Sequence, residues 1–252
     1  MNIPKNKFKE TLLKHQNQKG LWTTLTSSYS TEALAGAGFD WMLLDMEHSP
    51  NEMDTILAQL QVLAAYPVNA VVRPVWNDPL LIKRLLDIGA QTLLLPYVQN
   101  EHEAQSAVSA MRYAPRGIRG VSSVTRATHF GRVKDYMKGC EAELCLLVQI
   151  ETQQALDHLE AIANVDGVDG VFIGPADLSA SLGFPGQQDH PKVIKTIKDA
   201  IKRIRACGKG AGILTSDRQL ANQYISAGTT FTAVGVDAAL LARAAEALAK
   251  EF

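Results

Sequence analysis

Two short apolar runs in this sequence each lead into a carboxylate. Leu146 to Ile150 is followed by Glu151, and Val171 to Ile173 runs through Gly174-Pro175-Ala176 to Asp177. Unbroken hydrophobicity over so few residues is what a parallel strand buried on both faces requires. Gly and Pro stop the second run, which puts Asp177 in the turn that opens the following helix. Oxygen donors delivered by successive strand ends suit a hard divalent cation. Other reactive side chains have the same placement: Asp45, Glu47 and His48 follow the run Trp41 to Leu44, and Arg73 ends the run Ala70 to Val72. Singly, each has an ordinary structural reading. Asp177 can cap its helix, His48 can be a hydrogen-bonded histidine, and Arg73 can hold a buried Asp. Their shared position at strand ends is the stronger signal.

The elements that must position them alternate along the whole chain. Strands are expected at Gly20 to Leu25, Trp41 to Leu44, Ala70 to Val72, Thr92 to Leu95, Leu146 to Ile150, Val171 to Ile173, Ala211 to Leu214 and Thr230 to Val236. Helical patterns separate them at Ser30 to Ala37, Asn51 to Ala65, a segment opened by Asp78-Pro79 and closed by Gly89, Glu101 to Met111, Gln153 to Ala163, Pro191 to Cys207, Asp217 to Ala227 and Asp237 to Lys250. Eight such pairs are the number of a (β/α)8 TIM barrel, and residues 1–252 are a reasonable length for one as a single domain. Barrel enzymes build their sites from the carboxyl ends of the strands, where all the residues named above fall. No glycine-rich dinucleotide fingerprint, phosphate loop or long repeat favours another architecture.

Composition narrows the partner. With 25 basic and 26 acidic residues the chain has no electrostatic footprint for nucleic acid or an anionic membrane, so a small-molecule substrate is expected. Cys140, Cys145 and Cys207 are odd in number and lack metal-ligand spacing, which points to a reduced, cytoplasmic setting, with Cys145 packed inside a strand. The polar start MNIPKNKFKETLLKHQNQKG lacks the apolar core of a signal peptide. His15, His102, His158 and His190 read as solvent-exposed. His129 lies in the long connection Arg112 to Gly139, with Arg116, Arg119, Arg126 and Arg132, and that stretch reads as a solvated loop, a cover or a subunit contact.

The motifs GFDWMLLDMEHSP, VVRPVWNDP, LLDIGAQTLLLPYVQN, RYAPRGIRGV, LVQIET and GVFIGPADLS, in this order, closely resemble the 4-hydroxy-2-oxoheptanedioate aldolases, class II pyruvate aldolases of aromatic-acid catabolism. The resemblance covers nearly the whole chain. It implies a phosphoenolpyruvate/pyruvate-like barrel assembled as a homohexamer, one divalent metal ion per subunit held by Glu151 and Asp177, and pyruvate bound at that metal. Gln149, Arg73 and the backbone at Ala176 match substrate-seating positions. His48 matches the base, Arg73 the transition-state stabiliser, and Asp87 the acid that raises the histidine's basicity. Met46 departs from an expected Asp-Gly-Glu-His pattern and, as a bulky residue near the mouth, is expected to reshape the aldehyde pocket. Asp87 ends a helix that runs away from the catalytic face, so it is expected to reach His48 from a neighbouring subunit.

The chemistry fits these residue types. Retro-aldol cleavage of a 4-hydroxy-2-oxo acid breaks the C3–C4 bond and leaves an electron pair to be held as pyruvate enolate. A cation at the C2 oxygen lowers that barrier, and Mg²⁺, Mn²⁺ and Co²⁺ all accept oxygen ligands. Arg73 adds a permanent positive charge, while His48 takes the C4 hydroxyl proton. A Schiff-base aldolase needs a lysine in the mouth, and none ends a strand: Lys83 and Lys198 fall on helices and Lys209 precedes the seventh strand. The alternatives are a sugar-acid aldolase releasing pyruvate and a hydroxylated aldehyde, an acyl-CoA lyase, and a non-catalytic binder of 2-oxo acids.

Overall fold

A computed structural model describes residues 1–252. Helix α1 (Lys7–Leu13) precedes strand β1 (Gln18–Thr23), and α2 (Ser28–Ala35), β2 (Trp41–Asp45), α3 (Met53–Leu63), β3 (Asn69–Arg73), α4 (Pro79–Asp87), β4 (Thr92–Leu95) and α5 (Glu101–Met111) follow. A long connection then carries the short α6 (Tyr136–Gly139) and a 3-10 turn into β5 (Cys145–Ile150). The second half continues as α7 (Gln153–Asp157), α8 (Leu159–Ala163), β6 (Gly170–Ile173), α9 (Pro175–Ser181), α10 (Pro191–Ala206), β7 (Gly210–Leu214), α11 (Arg218–Ala227), β8 (Phe231–Val236) and α12 (Asp237–Ala249). Each strand pairs in parallel with the next, and β8 pairs with β1, closing the (β/α)8 barrel.

Alternation along each strand divides the core in two. Trp22, Trp41, Leu43, Val71, Leu94, Cys145, Leu147, Phe172 and Phe231 fill the barrel interior. The intervening side chains, such as Met42, Leu44, Val72, Leu93, Leu95, Val148 and Ile173, pack outward against the helices. Glycines make room for the largest inward rings: a Cβ at Gly20 would collide with Trp41, and one at Gly212 with Phe231. Above these rings, the inward positions pass to polar side chains at the carboxyl ends. That handover sets the level of the site.

Local signals explain most helix starts. The Asp78 side chain accepts from the Leu80 and Leu81 amides with Pro79 in the first turn, and Asp217 caps α11 in the same way. The expected helix Gln153 to Ala163 is instead broken at His158, which ends α7 and begins α8. The polar N-terminal segment forms α1, and its two buried residues, Phe8 and Leu12, close the amino-terminal end of the barrel. Phe8 meets the edges of Trp41 and Phe231 at centroid distances of 5.9 and 5.7 Å.

Three expectations are corrected. His190 is half-buried: it caps α10 through Nδ1 and stacks on Phe184. Arg119, in the connection read as solvated, is buried between Tyr113 and Tyr136 and paired with Asp87. Met46 has only 5% of its surface exposed and packs in the outward core, because it follows Met42 and Leu44 in the outward phase of β2. Its bulk therefore lies between barrel and helices, and it does not line the mouth.

Candidate active site

The carboxyl ends of β2 and β3 bring an Arg between two acids. Asp45 and Arg73 are register partners, and Arg73 donates Nε to Asp45 Oδ1 at 2.8 Å and Nη2 to Oδ2 at 2.7 Å. Its Nη1 lies 2.7 Å from Glu47 Oε2. Trp22 Nε1 donates to Asp45 Oδ2 at 3.1 Å, and the guanidinium carbon sits 4.7 Å from the Trp22 ring centroid. Burial opposes charge on Asp45, but the Arg73 bonds and charge, with help from the Trp22 and Glu47 N–H groups, outweigh it and hold its pKa below the ordinary value. Glu47 behaves oppositely. Burial raises its pKa, Arg73 opposes the rise, and the like charges of Asp45 and Asp177 add to it.

Glu151, which follows β5, is the second focus. It is buried, and both its oxygens are fixed: Tyr97 N–H donates to Oε1 at 3.0 Å, and Gln149 Nε2 donates to Oε2 at 2.6 Å. Tyr97 makes its bond from the left-handed region, at φ 55°, a conformation that a bulky residue adopts only when its surroundings impose it. Gly174 lies against the same carboxylate. A Cβ there would stand 2.5 Å from Glu151 Oε2. Burial, followed by the charges of Glu47 and Asp177, pushes Glu151 up to about 7, against the bonds from Gln149 and Tyr97. Asp177 is exposed in the first turn of α9, whose cap is Gly174 and not Asp177 itself. The amides of Ala176 and Asp177 open that helix without intrahelical acceptors.

Glu47, Glu151 and Asp177 therefore share one electrostatic neighbourhood, yet no group of three or more ligand-type side chains has a geometry that would hold a metal ion. Arg73 engages Asp45 and Glu47. What remains for a cation is Glu151 and Asp177, both hard oxygen donors, beside a buried Gln149 Oε1 that has no partner. A carboxylate pushed toward neutrality by burial and then by like charges fits a hard divalent ion, with coordination positions left for substrate and water.

His48 is on the same rim, with its side chain 65% exposed and Nε2 4.0 Å from Glu47 Oε2. Asp87 is not brought to it. It ends α4 at the amino-terminal end of the barrel, bonded to Arg119 Nη2 at 2.9 Å. Residue types alone put Asp45 and Glu47 at the rim without a role, and they do not single out Trp22, Tyr97 or the close approach at Gly174. The alignment of Asp45 with Arg73 needs the strand register, and the Tyr97 bond needs its unusual backbone; neither shows in residue types.

Known proteins agree with this architecture. Residues 18–244 match the family described as HpcH/HpaI aldolase/citrate lyase. A Rhizobium etli protein named pyruvate aldolase is 61% identical over 252 residues, spanning 100% of this chain and 99% of its own. A Salmonella paratyphi C protein named 4-hydroxy-2-oxo-heptane-1,7-dioate aldolase is 57% identical over 98% of this chain and 95% of its own. The crystal structure of an HpcH/HpaI aldolase/citrate lyase family protein from Burkholderia cenocepacia superposes with a TM-score of 0.94, at 38% identity and 98% coverage of both chains. With its barrel, its acidic rim and these relatives, the chain belongs to the HpcH/HpaI aldolase/citrate lyase family and is a lyase of the aldolase type.

Proposed function

We propose that the chain is a metal-dependent (class II) pyruvate aldolase that reversibly cleaves 4-hydroxy-2-oxoheptanedioate and related 4-hydroxy-2-oxo acids to pyruvate and succinic semialdehyde. The observation that carries this reading is the convergence of Glu151 and Asp177 beside the buried Arg73 on one barrel rim. A bound Mg²⁺, Mn²⁺ or Co²⁺ ion, held by Glu151 and Asp177, supplies Lewis acidity to the 2-oxo acid. The relatives named for pyruvate and for the heptanedioate substrate support the same class.

The chain's own side chains divide the remaining work. Arg73 spends two of its five N–H groups on Asp45 and lies in an ion pair with Glu47, which leaves N–H groups on its terminal nitrogens for an enolate oxygen. Asp45 and Trp22 fix its plane, so the positive charge is oriented before substrate arrives. Gln149, anchored through Nε2 to Glu151, keeps a buried Oε1 without a partner. The open first-turn amides at Ala176 and Asp177 suit the carboxylate of pyruvate. His48, exposed and free to move, takes the C4 hydroxyl proton in cleavage and returns it in condensation.

Assembly completes the proposal. Residues 239 to 252, which include most of α12, are exposed, with Leu240, Leu241 and Leu248 bare, as expected of a surface covered in a homohexamer. Asp87, distant from its own His48, acts on a neighbour's. All three cysteines are free, in keeping with a cytoplasmic setting, and no helix is long and apolar enough to cross a membrane. The deciding experiment measures pyruvate release from several 4-hydroxy-2-oxo acids, including those that give hydroxylated aldehydes, with and without added divalent ion and with an EDTA control. Full activity in EDTA removes the class II assignment.

A further inference from the structure

A sizeable cavity lies away from the acidic rim. It occupies about 540 Å³ among the N-terminal arm, the end of α3, the amino ends of β3 and β4, and the long connection after α5. That volume is in the range of small-molecule sites, roughly 300–1,000 Å³. Leu60, Leu63, Val68, Phe130 and Leu144 contribute apolar wall. The charged side chains in the lining are all basic, Lys5, Lys7 and Arg126, with His129; Lys5 is paired with Glu143 just outside it, which leaves Lys7 and Arg126 without an acidic partner. In a chain of net charge −1 that is a local excess, not a global one.

Arg126 is the distinctive member. It is half-buried, donates Nη1 to Ile88 O at 2.8 Å and Nη2 to Leu60 O at 3.4 Å, and has no carboxylate partner. Burial alone lowers its pKa, as it does for Arg205, whereas Arg73, Arg112, Arg116 and Arg119 are all paired with acids. The surrounding backbone is shaped to keep it there. Gly89, at φ 96°, leaves room where a Cβ would stand 2.6 Å from Arg126 Nη1, and His129 and Phe130 adopt φ 48° and 56° in succession. Strain of this kind in non-glycine residues gathers where a ligand is held.

We infer that this cavity is a second binding site, for a small organic carboxylate with an apolar body, whose charge pairs with Arg126 and whose hydrocarbon lies against Leu60, Leu63 and Phe130. The apolar wall excludes a highly charged ligand such as a sugar phosphate, and the unpaired guanidinium disfavours a neutral one. The site is separate from the rim of Glu151 and Asp177 in its own chain.

The test is calorimetric titration of octanoate into the full-length, magnesium-supplemented protein at saturating pyruvate, which masks the rim. Saturable binding near one molecule per chain is expected, with 1-octanol weaker by about tenfold or more for want of the charge. Ala64 is an exposed member of the lining, so Ala64→Trp fills the opening without disturbing the core. It should weaken octanoate by about tenfold or more at an unchanged rate of pyruvate release. Arg126→Met should weaken octanoate to a similar degree, and Ala64→Trp carries the test of an unchanged rate because the Arg126 bridge to Ile88 O adjoins Asp87. Absence of saturable binding overturns the inference, including when a second copy of the chain covers the cavity. Equal affinity for octanol, or indifference to Ala64→Trp, overturns it as well.

Discussion

Arg73 and Asp45 face each other across adjacent strands in a two-pronged pair, Nε to Oδ1 at 2.8 Å and Nη2 to Oδ2 at 2.7 Å, with both side chains almost wholly out of water. Removing one member leaves the other as a buried, partly unpaired charge. Asp45→Ala is expected to destabilise the chain by about 3 kcal/mol and to lower turnover as Arg73 loses its orientation. Arg73→Lys keeps the charge but cannot bridge both acids, so kcat should fall by about a hundredfold or more with a smaller loss of stability. Urea unfolding and steady-state kinetics on the two variants separate these effects; equal damage to stability and turnover in Arg73→Lys would assign the pair a purely structural role.

With Glu151 as the proposed ligand, divalent-ion binding is expected to be sensitive to pH. Its folded pKa of about 7 stands above the unfolded value of 4.5, so the charged form costs stability above pH 7 and the penalty disappears below 4.5. The metal-free protein should gain up to about 3 kcal/mol, relative to its other titrations, as pH falls across that window. Below about pH 7, protons compete with the ion, and its apparent affinity should drop by about tenfold per pH unit. Glu151→Gln should melt higher than wild type at pH 8 without metal and gain nothing from added Mg²⁺ or Mn²⁺. Superimposable pH profiles for the two metal-free proteins would sink this prediction.

Gly174→Ala tests the close approach of β6 to the Glu151 carboxylate. The added methyl meets Glu151 Oε2 at 2.5 Å and its Cβ at 2.9 Å, so the carboxylate must move. A stability loss of about 1–3 kcal/mol is expected, together with a loss of activity far larger than partial unfolding explains. Near-normal kcat in the folded variant would mean that the position of Glu151 is unimportant.

His48→Ala should leave stability within about 0.5 kcal/mol because the side chain is exposed. Turnover should fall by about a hundred- to ten-thousandfold, while pyruvate binding, measured directly by calorimetry, stays near wild type. Parallel loss of binding and turnover would make His48 a binding residue and not a base.

Most of the barrel was legible because parallel strands buried on both faces leave short, unbroken apolar runs, and because Asp78-Pro79, Asp217 and Gly89 punctuate the helices. The rim acids were legible for the same reason, since each follows such a run. Helix α1 was not: it buries only Phe8 and Leu12 among polar neighbours, too little periodicity to register. The outward phase of Met46 follows from its alternation with Met42 and Leu44, whereas its closeness to Glu47 and His48 along the chain suggests a place in the mouth that the alternation rules out. The engagement of Glu47 by Arg73 depends on register and side-chain reach, which residue spacing along one strand does not encode.

The seal formed by α1 also bears on the order in which the molecule can be made. Phe8, near the start of the chain, packs on Phe231 of the last strand, so the floor of the barrel cannot close before nearly the whole polypeptide has been synthesised. Until then Phe8 and Leu12 lack their final partners, and the strands that precede β8 present an open edge. Contacts this distant in sequence make closure a slow, late event in folding. The interval between synthesis of α1 and arrival of β8 is therefore when the nascent chain is most exposed to aggregation.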